Sequence, residues 1–101
     1  EVINNPTVEQ IKKFLNKGLP VIAPLAGREL ANPYFRQPGP IYHMVVIKGY
    51  TKDDKFIVND PGIGRGHDYL YPFKILMNAI HDWNEADILA GPKNALVIYP
   101  N

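Results

Sequence analysis

The segment GPIYHMVVIKGYTKDDKFIVNDPG, residues 39 to 62, places a histidine near the start of one apolar run and an aspartate at the end of the next. A turn centred near residues 52 to 53 would fold the two runs into an antiparallel hairpin, with position 45 roughly opposite 60. His43 and Asp60 then lie on a diagonal of one face, where Cα atoms are about 7–8 Å apart and an imidazole can reach a carboxylate. A slip of one residue would send them to opposite faces. In that register the carboxylate accepts a hydrogen bond from one ring nitrogen, fixes the tautomer and stabilises an imidazolium. That is the part played by the acid in a nucleophile–base–acid triad. The second nitrogen is left for a thiol or a hydroxyl. The same residues also have an ordinary reading, since Asp before Pro-Gly is a common turn residue.

A triad needs a nucleophile, and the 101 residues contain neither Cys nor Ser. Thr7 and Thr51 are the only hydroxyls of the right type, and their contexts read as a helix cap and a turn. Other clusters carry less. GIGRG, Gly62 to Gly66, lacks the strand–loop–helix context and the Lys-Ser/Thr of a phosphate loop. His67–Asp68 and His81–Asp82 are sequence neighbours that face different ways, with no third ligand at useful spacing, so neither a metal nor another cofactor is expected. Asp53 and Asp54 read as turn carboxylates, and Trp83 as a core residue on a helix stripe. Tyr34 and Phe35 lie in the long loop before His43, where they either line a substrate cleft or pack over the sheet as a lid on the core. Tyr42, directly before the histidine, joins them as a candidate substrate contact.

The elements that would hold these residues are well punctuated. NPTVEQIKKFLNKGLP predicts a helix: Thr7 and Gln10 have capping-box spacing, and Val8, Ile11, Phe14 and Leu15 form one stripe. Gly18 and Pro20 end it. PVIAPL predicts a short strand, and AGRELANPYFRQPGP a long surface connection. In the hairpin, IYHMVVIKGY and FIVND are apolar at nearly every position, which predicts that both faces are covered. FKILMNAIHDW predicts a second amphipathic helix with Pro72 at its start, and NALVIYP a last strand. The expected order is α-β-β-β-α-β, an α+β chain with an antiparallel sheet, a central hairpin and two flanking helices.

Composition bounds the function. At 101 residues, 46% of them hydrophobic, the chain forms one domain or part of one. The formal charge is +1, with 11 basic and 10 acidic side chains scattered along the sequence, so nucleic-acid binding has no basic stripe to rest on. No apolar run approaches the length of about 18 residues that spans a bilayer. EVINNPTVEQ does not resemble a signal peptide, and the lack of cysteine says nothing about redox compartment.

GLPVIAPLAG, NPYF, GPIYHMVVIKGY and DDKFIVNDPGIGRG, over about residues 18 to 83, resemble the second half of the bacteriocin-processing cysteine peptidases and their stand-alone relatives, the C-thirty-nine-like group. The resemblance implies a papain-like fold, a general base at His43 and an orienting acid at Asp60. It also implies a bacterial source and an extracellular or cell-surface setting. In that group the nucleophilic Cys opens a helix in the N-terminal half, with a Gln ahead of it completing the oxyanion hole. Residues 1–101 have no counterpart of that half. One expectation is therefore the C-terminal portion of a peptidase acting on peptide bonds, inactive by itself. It would be completed by the N-terminal half of the same polypeptide, or would self-associate as a dimer. The other expectation is a non-catalytic module of the same fold that binds a peptide or a partner protein.

Overall fold

A computed structural model describes residues 1–64 and 66–100. Six antiparallel strands form one sheet: β1 (Val2–Asn4), β2 (Val21–Ala26), β3 (Tyr42–Tyr50), β4 (Lys55–Asn59), β5 (Tyr69–Pro72) and β6 (Asn94–Val97). Their order across the sheet is β1-β6-β2-β3-β4-β5. Four of these strands are those expected; β1 and β5 are additions at the two edges. No helix among the described residues is long and apolar enough to cross a membrane.

Helix α1 (Val8–Asn16) starts at the capping box read from the sequence: the Gln10 amide donates to Thr7 Oγ1 at 3.2 Å and the Thr7 amide to Gln10 Oε1 at 2.9 Å. Gly18 takes the left-handed conformation after it (φ 78°). Ile11 is fully buried, with Val8, Phe14 and Leu15 packed around the same core. Helix α2 (Phe73–Ala79) begins after Pro72 as expected but stops four residues short of Trp83. Ile80 leaves the helix to bridge Leu25, and the His81 amide donates to the Pro24 carbonyl at 3.1 Å. These residues take over the edge of β2 beyond the point where β6 pairs with it. The Lys93 ammonium donates to the carbonyls of Met77, Asn78 and Ile80, neutralising the end of the helix. Trp83 is consequently not a core residue: it lies 57% exposed, its ring edge-on to Tyr42.

Both helices cover the same face of the sheet. On that face lie Ala23 and Leu25 of β2, Val45 and Ile47 of β3, and Phe56 and Val58 of β4, all buried. The opposite face is open, with Val2, Met44, Leu70 and Leu96 exposed upon it, so the continuous apolar runs do not signify two covered faces here. Pro24 is tolerated in an interior strand because its carbonyl, and hence its missing N–H, points toward His81 rather than toward the ladder with β3.

The hairpin register matches expectation. Val46 pairs with Asn59 and Ile47 with Val58, which extends to position 45 opposite 60. A bulge between Ile47 and Gly49 then shifts the register, so that Tyr50 opposes Phe56 and shares its face. The Tyr50 hydroxyl reaches Asn16 at 2.8 Å and Lys12 lies over its ring, which fastens α1 to the turn end of the hairpin. In the turn, Thr51 Oγ1 donates to Asp53 at 2.5 Å, as its sequence context predicts.

Phe56 and Leu70 separate the two faces in one measurement. Phe56→Ala removes a fully buried ring and should cost about 3–5 kcal/mol in urea unfolding, whereas Leu70→Ala, on the open face, should stay within about 0.5 kcal/mol.

Candidate active site

The site forms where the covered face runs out. His43 is the second residue of β3, opposite Leu25 of β2, and points to the same face as Val45 and Ile47. Asp60 follows the last residue of β4. Its Oδ1 lies 2.5 Å from His43 Nε2, so the diagonal pairing read from the sequence is present in the fold.

Asp60 is 2% exposed and accepts three hydrogen bonds. Oδ1 takes His43 Nε2 and the Gly62 amide at 2.9 Å; Oδ2 takes the Tyr71 hydroxyl at 2.8 Å. Burial alone would raise this carboxyl. The bonds from His43, Tyr71 and the Gly62 amide, together with the charge available on His43, outweigh burial and hold it below its ordinary range. An ionised carboxylate only accepts, so the ring proton of His43 sits on Nε2. Nδ1 has no hydrogen-bond partner among the described residues, and no buried polar side-chain atom there lacks one, so Nδ1 is open to solvent. Burial, reinforced by the bond to Asp60, also drives the Tyr71 phenol far above its usual range, which keeps it a proton donor to the carboxylate.

Two glycines let the chain close around this pair. A Cβ on Gly62 would stand 2.4 Å from His43 Cε1 and 3.2 Å from Asp60 Oδ1, so only hydrogen fits between the backbone and the two side chains. A Cβ on Gly66 would overlap the Asp60 carbonyl, which sits where the Asp60 amide donates back to Gly66 at 2.8 Å.

His43 opens on a cleft of about 370 Å³ shared with Phe35, Arg36, Gly39, Pro40 and Gly62. Phe35 is buried and stands edge-on to the imidazole, 5.0 Å between centroids, so it both packs as a lid and walls the cleft. Tyr34 is half exposed outside that wall, its ring against Tyr69 at 6.2 Å. Tyr42 does not join the group. Strand alternation turns it to the open face, where its hydroxyl donates to Asp82 at 3.0 Å. Burial and that bond push its phenol up to about 12. Sequence reasoning passed over Asn32, Tyr71 and Gly62. Only Tyr71 carried a signal, the period-two spacing with Tyr69 that marks a strand.

The family model of the Peptidase_C39 like family matches residues 2–88, and the chain belongs to that family. A six-stranded antiparallel sheet with two helices is consistent with the papain-like, α+β architecture that the resemblance implies. No curated protein and no solved structure matches the chain.

Two measurements follow from the geometry. Gly62→Ala should destabilise the fold by about 1–3 kcal/mol, read by urea unfolding, because the new methyl must displace the His43 ring. The depressed Asp60 carboxyl contributes stability that is complete above its unfolded value of about 3.9 and is lost as pH falls through its lower folded value. The stability gap between the unsubstituted protein and Asp60→Asn should therefore shrink as pH falls below about 4.

Proposed function

From that family membership we propose that the chain carries the base of a cysteine-peptidase site, with His43 as general base and Asp60 as its orienting acid. The observation that carries the proposal is the 2.5 Å contact that commits Nε2 to the carboxylate and leaves Nδ1 open on a cleft. In such a site Nδ1 takes the thiol proton as the sulfur attacks the acyl carbon. The imidazolium then returns that proton to the departing amine. Water, deprotonated by the same nitrogen, releases the acyl group and regenerates the thiol. Asp60 keeps its charge throughout and stabilises the imidazolium.

The thiol is not among residues 1–101, which contain no Cys. A Cys-bearing N-terminal segment of the same polypeptide supplies it in this proposal, and a peptide is the substrate. Phe35 and the exposed Tyr34, borne on the loop that walls the cleft, are the proposed substrate contacts. That segment, or a second copy of the chain, would dock at the mouth of the cleft between Phe35 and Gly62, the side from which a thiol can meet Nδ1. The absence of any Cys or Ser from the 101 residues favours a second reading, a module that binds peptide in the same cleft without cleaving it.

The test is made on the protein as its own cell produces it. Intact mass and N-terminal sequence come first, then labelling by a thiol-directed probe and cleavage of a peptide library. The peptidase reading expects one rapidly labelled thiol and cleavage that falls on the order of 10²–10⁴-fold in His43→Ala. Peptide binding with no labelled thiol and no cleavage would leave the binding module, and cleavage indifferent to His43→Ala would overturn His43 as the base.

A further inference from the structure

Beneath the contact between His43 and Asp60 runs a polar chain that the reaction above does not use. Asn32, 3% exposed, sits on the loop that walls the cleft. Its Oδ1 accepts the Tyr34 amide at 2.8 Å, and its Nδ2 donates to the Tyr71 hydroxyl oxygen at 2.7 Å. The first bond settles the second, because a backbone N–H must meet the carbonyl end of the amide and so turns the nitrogen toward Tyr71. An amide nitrogen only donates, so the phenol oxygen accepts there. Its single proton is then available for Asp60 Oδ2 alone, at 2.8 Å. The chain has one polarity, from Asn32 through Tyr71 to Asp60.

We infer that Asn32 and Tyr71 are positioning residues: through Asp60 they hold His43 with Nε2 protonated and Nδ1 basic, and they fasten the cleft loop to the same carboxylate. Both oxygens of Asp60 are pinned at separate points, Oδ1 by the Gly62 amide and Oδ2 by Tyr71, which stops the carboxylate from rotating away from the ring. The loop meets the pair by two routes. Phe35 bears on the imidazole itself, and the Tyr34 amide hangs on Asn32 at the far end of the chain. A shift of this loop on binding a ligand is therefore transmitted to the orientation of His43, and the charge on Asp60 is transmitted to the loop.

The hydrogen-bond polarity stands by itself, whereas its bearing on turnover rests on the peptidase reading, and the two are read separately. Nitrogen-15 spectra of the full chain, recorded where His43 is neutral, report its tautomer. The unsubstituted protein should show Nε2–H almost alone. Tyr71→Phe deletes one oxygen and keeps the ring packing; the ratio of Nε2–H to Nδ1–H should fall on the order of tenfold. Asn32→Asp, close in shape but able only to accept, should capture the phenol proton and produce a fall of the same kind. Should Asn32→Asp not fold, Tyr71→Phe decides. Coupling to the loop is read from the Tyr34 amide signal, which Asp60→Asn should move in the unsubstituted background and leave in place when Tyr71 is Phe.

A folded Tyr71→Phe protein with an unchanged tautomer ratio, or a Tyr34 response to Asp60→Asn that survives that substitution, overturns the inference. Should the spectra shift as expected while the native protein cleaves nothing, positioning stands and the peptidase reading falls. Where cleavage exists, Tyr71→Phe should lower kcat by on the order of tenfold and alter the pH profile of kcat/KM, which a purely structural loss would leave in shape.

Discussion

Asp60 keeps a negative charge inside the protein, and an unpaired charge there would cost several kcal/mol. Three donors offset that cost, and each imposes something on the chain that supplies it. Tyr71 can reach Oδ2 only because β5 returns alongside β4, with Tyr71 opposite Phe56. The Gly62 amide can reach Oδ1 only because the backbone runs so close to the imidazole that a methyl group there would stand 2.4 Å from His43 Cε1. His43 Nε2 completes the set, and in doing so loses its choice of tautomer. The loop of residues 61–64, the fifth strand and the opening of β3 are in this sense all conditions of one carboxylate.

The rest of the sheet gives those conditions a firm base. β2 runs beside β3 along six pairs, from Val21 with Ile47 to Ala26 with Tyr42, so the backbone of His43 is held against Leu25. The Lys93 ammonium terminates α2, and Ile80 and His81 then close the edge of β2 that β6 leaves. Against this rigid floor the candidate cleft is roofed by a loop, the usual division between a scaffold and the residues that meet a ligand.

How much of this was legible depended on whether the signal was local. Thr7, Gln10 and Gly18 speak to their own backbone, so α1 could be read to its ends. The turn near residues 52 to 53 set the hairpin register, and the register brought His43 to Asp60 with no further information. Tyr71 and Asn32 were not legible in their roles, because their partners lie 11 and 39 residues away along the chain. Asn32 precedes a proline and reads as a turn residue; nothing nearby announces that its amide is buried against a phenol. β1, three residues long, is too short for alternation to show. Trp83 misled for a related reason: the apolar spacing continues past Ala79, but Ile80 gains more by joining β2 than by extending a helix. The unbroken apolar runs of the hairpin marked strands correctly and faces wrongly, since apolar composition does not say what covers a surface.

The bulge between Ile47 and Gly49 works like a phase break between the two ends of the hairpin. Toward His43 the register is locked by β2 and by the buried pairs of β4. Toward the tip it restarts, with Tyr50, Lys12 and Asn16 as a separate anchorage. The two ends stand about eight residues apart, roughly 26 Å of strand. Changes of length at the tip, a lengthened turn or a grafted epitope at Lys52 and Asp53 that leaves the Asp54 carbonyl to accept the Phe73 amide, should thus be absorbed before they reach the carboxylate. The far end of the hairpin is a handle by which the molecule can be labelled, tethered or fused while its interior geometry is left as it was.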